Sequence, residues 1–253
     1  MCNTIPSNEI TIISACWGDY WEKFGKEFIK SIGKLNHQPR EVIISSEKIL
    51  ELPDGWNNLI VKKPFKWDAW NKAVKIATSK WILPVGIDDL FMPESLDSFK
   101  TKFKVIRFPY ITNEGKLLVP NPAAYFQIED INYYPVPGGL LIEKDVLIEY
   151  PIRNCHYSDW IHSLELFKNN IKVDFDFKAR IIHRIHADQH SFNLNSNGIE
   201  EVKYFKGLIK NRMVKIYPGS EWPPKFKVLN FYSSIKFLRK LTYSMVRFLK
   251  KVG

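Results

Sequence analysis

Between Ile10 and Leu96 the sequence alternates short apolar runs with segments whose apolar residues recur at helical spacing. No other feature restricts the fold as strongly. "ITIISACW" opens as a buried strand, Ile10 to Ser14, and ends in a loop. In "DYWEKFGKEFIKSIGKL" the residues Phe24, Phe28, Ile29 and Ile32 share one helical face. "EVIISS", Glu41 to Ser46, predicts a second buried strand, "WDAWNKAVKIAT" a helix and "KWILPV" a third strand. Strand, helix, strand, helix, strand argues for a parallel sheet covered by helices. Ligands of such sheets sit beyond the carboxyl ends of the strands. Ser14 with Ala15, then Ser46, then Gly86 to Asp89, all fall at those ends.

The remainder is less regular. "KVIRFPYI" and "AAYFQI" read as strands. "YYPVPGGLLIEKDVL" runs from a Pro/Gly loop into a strand and then a helix. "SDWIHSLELFKNN" places Trp160, Ile161, Leu164 and Phe167 on one helical face, with Ser158 as N-cap. "IKVDFDFKARIIHRIHADQHS" alternates apolar and polar residues through Phe177 and then delivers His183, His186 and His190. No internal repeat is visible. The three cysteines, Cys2, Cys16 and Cys155, form no metal-spaced pair and read as reduced thiols of a cytoplasmic protein. "MCNTIPSNEI" has no basic segment followed by an apolar one, so no signal peptide is expected. No apolar run reaches the length of a membrane span. Eight of the 37 basic residues lie between Lys225 and Gly253, with no acidic residue among them, so the tail carries most of the net charge of +10. The near-neutral body argues against nucleic acid as a partner.

Several motifs, in order and spacing, resemble the inverting GT-A glycosyltransferases of family 2, which use nucleotide-diphosphate sugars. The resemblance runs from about Ile10 to Ser191. "NKAVKIATSKWILPVGIDDLFMPESL" looks like the family segment in which an Asn-led helix, here headed by Asn71, passes a small residue, Ala77. It then enters a strand, the DxD metal motif and a Pro-Glu-Ser-Leu turn, Pro93 to Leu96. "SDW" sits where the family has an Asp before an aromatic-rich helix, and "HRIHADQHS" is similar to its late Arg-x-His segment, with Arg184 and His186 in place. Two positions depart. The DxD motif reads Gly86-Ile87-Asp88, without its first carboxylate. Trp70 stands where the family often has an Arg facing the diphosphate.

The resemblance implies a GT-A fold, a Rossmann-like α/β/α sandwich over residues 1–199. Its nucleotide-sugar half spans about 1–98 and its acceptor half about 99–199, followed by a basic helical tail over 200–253. It implies transfer of a sugar from a nucleotide-diphosphate donor, a UDP-sugar, to a glycan or lipid-linked hydroxyl with inversion. Such chemistry needs the leaving diphosphate neutralised by a divalent metal, Mn2+ or Mg2+, a base for the acceptor hydroxyl, and in-line positioning. On this reading Asp88 and His186 hold the metal and Asp159 is the base. Ser14, Ala15, Ser46, Glu47, Asn71, Gly86, Ile87, Asp88 and Arg184 contact the nucleotide sugar. Gly138, Gly139 and Trp160 meet the acceptor.

Each residue also has a plainer reading. Asp88 and Asp89 could form a turn or cap before Pro93, and Asp159 a helix cap. Trp160 could be core, and the glycines could make a turn. The histidines have roughly zinc spacing but no cysteine partner. Plotted as a helix, Phe231, Ile235, Leu238, Leu241, Met245, Phe248 and Leu249 cluster opposite Lys236, Arg239, Lys240, Arg247, Lys250 and Lys251. That pattern suits a helix lying on an anionic membrane surface, or one docked on its own domain. Two rival functions remain on the sequence alone: a nucleotidyltransferase, and a non-catalytic nucleotide- or sugar-binding module of the same fold.

Overall fold

The computed structural model describes residues 3–62, 66–118, 139–153, 171–176 and 178–186, with Ser158, His162, Ser163, Glu165, Leu166 and Asn169. A short strand β1 (Asn3–Ile5) leads into β2 (Ile10–Ala15), every residue of which is buried. A π-helical turn over Trp21–Gly25 passes directly into α1 (Lys26–Gly33), then β3 (Glu41–Ser46), β4 (Asn57–Ile60) and α2 (Lys66–Ile76). There follow β5 (Trp81–Pro84), β6 (Leu90–Phe91), β7 (Phe99–Thr101), β8 (Val105–Phe108), β9 (Tyr110–Thr112) and β10 (Leu117–Leu118). Last come β11 (Gly139–Glu143), α3 (Lys144–Glu149), β12 (Asp174–Phe175) and β13 (Ile181–His183).

Among the described residues the main sheet has seven strands in the order β12-β8-β11-β5-β2-β3-β4. β5, β2, β3 and β4 run parallel, as the alternation predicts, while β11 runs antiparallel to both β5 and β8. The run "ITIISA" is apolar or small throughout because a central parallel strand is covered on both faces. Ile10 and Ile12 point to the side of Phe28 and Ile32 of α1, and Ile13 to the side of Ala69, Ala73 and Val74 of α2. Helix α3 packs beside α2 on that second side through Val146 and Leu147. The result is a three-layer α/β/α sandwich. None of the described helices is long and apolar enough to cross a membrane. The sequence reading missed β4, whose "NNLI" lacks an apolar run because the strand is an edge. The expected strand "AAYFQI" and the basic tail lie outside the described residues.

From β2 the chain moves outward to β3 and β4, then crosses back to β5 on the other side of β2. This reversal opens a crevice at the carboxyl ends of β2 and β5. A second sheet, β10-β9-β13-β6, closes over that edge.

Glu41, at the start of β3, ties the opposite edge together. Its carboxylate accepts from the Thr11 hydroxyl at 2.8 Å, the Thr78 hydroxyl at 2.8 Å and the Thr78 N–H. Burial opposes the charge, but these donors outweigh it and hold the carboxyl below its ordinary value of 4.5. The stabilisation is therefore present above about that pH and lost as the pH falls through the lower, folded-state value. Glu41→Gln is expected to cost about 1–3 kcal/mol at neutral pH, and to flatten the loss of stability in acid. Urea unfolding of both proteins from pH 7 to pH 3 checks the magnitude and the slope.

Candidate functional site at the carboxyl edge of the sheet

β5 ends in a tight turn, with the Asp89 N–H donating to the Gly86 carbonyl at 3.1 Å. Gly86 and Ile87 are buried, Asp89 is 5% exposed, and the Asp88 side chain keeps 19% of its surface. After the turn, β6 pairs antiparallel with β13, Leu90 opposite Ile182 and Phe91 opposite Ile181. Continued by one residue, this register sets His183 across from Asp89. The chain leaving β13 then runs back over Asp88.

Three contacts follow within four residues. His183 Nδ1 lies 2.8 Å from Asp89 Oδ1, Arg184 Nε donates to the Asp88 carbonyl, and His186 Nε2 lies 3.1 Å from Asp88 Oδ2. Tyr110 stacks on His183 at 5.6 Å, nearly parallel. The His186 ring packs on Phe24 at 4.8 Å, beside Tyr20 at 6.1 Å. The π-helical turn before α1 carries Phe24, and Arg184 lies over the same ring at 4.8 Å while pairing with Glu27.

Burial pushes the Asp89 carboxyl up, against the pull of His183. Burial also opposes the charge of His183, but the hydrogen bond and charge of Asp89, and then the charge of Asp88, outweigh it and raise the imidazole above its ordinary value. The pair keeps its proton to higher pH than a free histidine does. Asp89 is thus neutralised internally, and Asp88 is the carboxylate left facing outward.

Asp88 and His186 therefore come together, as the sequence predicts, from 98 positions apart. Among the described residues no group of three or more His, Cys, Asp or Glu is placed to hold a metal ion. One carboxylate and one imidazole suit an ion that draws its remaining ligands from phosphate and water, which is how Mg2+ sites at phosphates are commonly built. His186 Nδ1 is buried without a hydrogen-bond partner among the described residues.

Other predicted residues sit at the same edge. Ser14 is fully buried at the end of β2, its hydroxyl without a partner among the described residues, and Ala15 is buried beside it. The Ser46 hydroxyl donates to the Lys48 carbonyl and accepts from Asn58 at 2.8 Å, so it shapes the loop after β3. Glu47 accepts from the Gly18 N–H at 3.0 Å and bridges two loops of the crevice. Cys16 is no nucleophile, because burial and then Glu22 push its thiol up to about 12.

Two of the expected residues have structural partners. The Asn71 amide donates to the Ile152 carbonyl at 2.7 Å and accepts from the Ile152 N–H at 3.2 Å. It joins α2 to the segment after α3. Gly139 is glycine for packing, since a Cβ there would lie 1.8 Å from the Phe108 ring. Gly86 has a φ outside the left-handed region, and a Cβ there would lie 2.4 Å from Asp88 Oδ1, so a side chain would require the Asp88 carboxylate to turn aside. The Asp88 carboxylate thus fills the space beside the missing first residue of the motif. Asp159, Trp160 and Gly138 lie outside the described residues.

Sequence reasoning missed three groups. His183 is one. Arg107, 6% exposed, donates to Ser163 Oγ at 2.7 Å. Burial and then the Arg107 charge push the neighbouring His162 down to about 3, so it is a neutral residue bonded to the Tyr150 carbonyl. The third, Arg180, is 3% exposed. It donates to Asp176 at 2.7 Å, to the Ser95 carbonyl at 3.1 Å and to the Asp97 carbonyl at 2.7 Å, with Phe99 3.8 Å away. The Ser95 hydroxyl bonds back to the Arg180 carbonyl.

No family model matches the sequence, and no curated protein matches it. Solved structures do. A crystal structure of S. aureus TarS 1-349 in complex with UDP-GlcNAc matches at TM-score 0.59 with 15% identity, covering 83% of this chain and 68% of that one. TarS 1-349 without that ligand matches at 0.51 with 15% identity over 70% of this chain, which spans 60% of its length. Glucosyl-3-phosphoglycerate synthase from Mycobacterium tuberculosis, in complex with phosphoglyceric acid, matches at 0.50 with 10% identity, covering 81% and 78%. At such identity the likeness is one of fold, and the central sheet matches that of GT-A glycosyltransferases.

Removing the Arg180 guanidinium strands the Asp176 carboxylate and two carbonyls. Arg180→Ala is expected to destabilise the protein by about 3–5 kcal/mol, the usual cost of breaking a buried ion pair from one side. Denaturant unfolding at neutral pH measures it.

Proposed function

We propose that this chain is a divalent-metal-dependent glycosyltransferase that passes a sugar from a UDP-sugar to a hydroxyl of a glycan or lipid-linked acceptor, with inversion. The observation that carries the reading is the meeting of Asp88 and His186, 3.1 Å apart, at the carboxyl edge of a GT-A sheet. The neighbours in fold support the donor class, since one is in complex with UDP-GlcNAc.

Asp88 and His186 hold the metal, Mn2+ or Mg2+. When bound, the ion neutralises charge on the leaving diphosphate. Arg184 brings a guanidinium to the same end of the crevice. Ser14, Ala15, Glu47 and the Gly86-Ile87 backbone line the donor side. Asp159 takes the proton of the acceptor hydroxyl as the new C–O bond forms, and Trp160 with Gly138 orients the acceptor. The basic residues between Lys225 and Gly253 suit attraction to an anionic membrane surface, which would fit a lipid-linked acceptor.

Thermal-shift assays with UDP-GlcNAc, UDP-glucose and GDP-mannose, with and without Mn2+, test donor and metal together. A donor at a hundredfold excess over its Kd adds about 2.7 kcal/mol of stability. Asp88→Ala is expected to abolish the Mn2+-dependent part of the shift. Donor binding unchanged by EDTA in the wild type overturns the metal assignment. Asp159→Asn is expected to bind donor normally and to lose turnover, read as UDP release, by at least about a hundredfold. A near-wild-type rate removes the base from this residue.

A further inference from the structure

We propose that His183 is a positioning residue that sets the metal ligand Asp88 through its hydrogen bond to Asp89. The inference rests on the metal reading above and adds a residue to it.

Adjacent carboxylates repel one another, and an unpartnered Asp89 at 5% exposure is costly. His183, 2.8 Å away, removes both problems. It also fixes the side chain on one end of the Asp88–Asp89 peptide, while Arg184 holds the Asp88 carbonyl at the other. The peptide is clamped from both sides by consecutive residues. With that peptide plane set, the Asp88 side chain is directed at His186 instead of swinging with the turn.

His183 is itself held firmly. β13 lies between β6 and β9, His183 pairs with Thr112, and its carbonyl accepts from the Asn113 N–H at 3.3 Å. Tyr110 stacks on the ring. A stack fixes the ring plane, and the ring plane fixes the direction of Nδ1. Groups that orient a metal ligand from behind commonly matter 10–100-fold in metal affinity.

Two variants divide the contacts of the ring. His183→Phe keeps the stack on Tyr110 and donates nothing to Asp89. His183→Gln loses the stack and keeps an N–H donor. Mn2+ binding to the full chain in the presence of UDP is measured by calorimetry, with melting temperature alongside. His183→Phe is expected to bind Mn2+ about 10–100-fold more weakly while still folded, and His183→Gln to restore most of the affinity. Asp89→Leu/His183→Phe is expected to bind no more weakly than Asp89→Leu alone, because the two residues act as one. A folded His183→Phe with wild-type affinity overturns the inference, as do losses that simply add. Should His183→Phe fail to fold, a folded Asp89→Leu, which removes the acceptor, with wild-type Mn2+ affinity overturns it equally. If the wild type binds no Mn2+ with UDP, the metal reading fails and this inference fails with it. If the wild type binds and the variants match it, only this inference fails.

Discussion

An almost wholly buried guanidinium holds the candidate site together. Arg180 immediately precedes β13 and donates to the carbonyls of Ser95, in the Pro93–Leu96 turn after β6, and of Asp97 just beyond it. Just beyond that turn the backbone is strained, with Ser98 at a φ of 37°, an arrangement that side chains other than glycine adopt only at a cost. A buried Arg is tolerated only when its donors are met, and here Asp176 and two carbonyls meet them. The requirement works in both directions. The turn needs Arg180 for its carbonyls, and Arg180 needs the turn to be where it is. Since β6 and β13 join at the same place, the strand that ends in His183 can dock in one way.

The polar contacts of Asp88 and Asp89 depend on that docking. Asp88 and Asp89 come from the first half of the chain by way of β5. His183, Arg184 and His186 come from about a hundred positions later by way of β13. Two rungs of ladder join them. The polar pairs add direction to that joint, with His183 on Asp89 and His186 on Asp88, but they do not create it.

Much of this was legible in the residue order. The fully apolar "ITIISA" and "EVIISS" announce central parallel strands, because only strands covered on both faces dispense with alternation. The break at Gly86 followed by two carboxylates marks a strand end, and Arg184-Ile185-His186 pointed to the partner of Asp88. The spacing of motifs did not reveal side-chain commitments. Asn71 looks like a polar residue ready for a ligand, yet both ends of its amide are bonded to Ile152. His183 looked like one of three similar histidines, and only the register of β13 against β6 separates its role from that of His186. Arg180 gives no signal in the sequence because, besides Asp176, its partners are backbone carbonyls, which every residue possesses.

The two-rung ladder has a consequence for how the molecule acquires its chemistry. The strand–helix–strand half can form its parallel pairings from sequence-local segments, and it would then display Asp88 without His186 and Asp89 without His183. Such a partly folded species has a sheet, a crevice and a pair of repelling acids. All three contacts from β13 arrive when the ladder closes and vanish if it slips by one residue, since a one-residue shift turns every side chain to the opposite face. The site is therefore all-or-none. A chain whose β13 is undocked from β6 lacks all three of these contacts together.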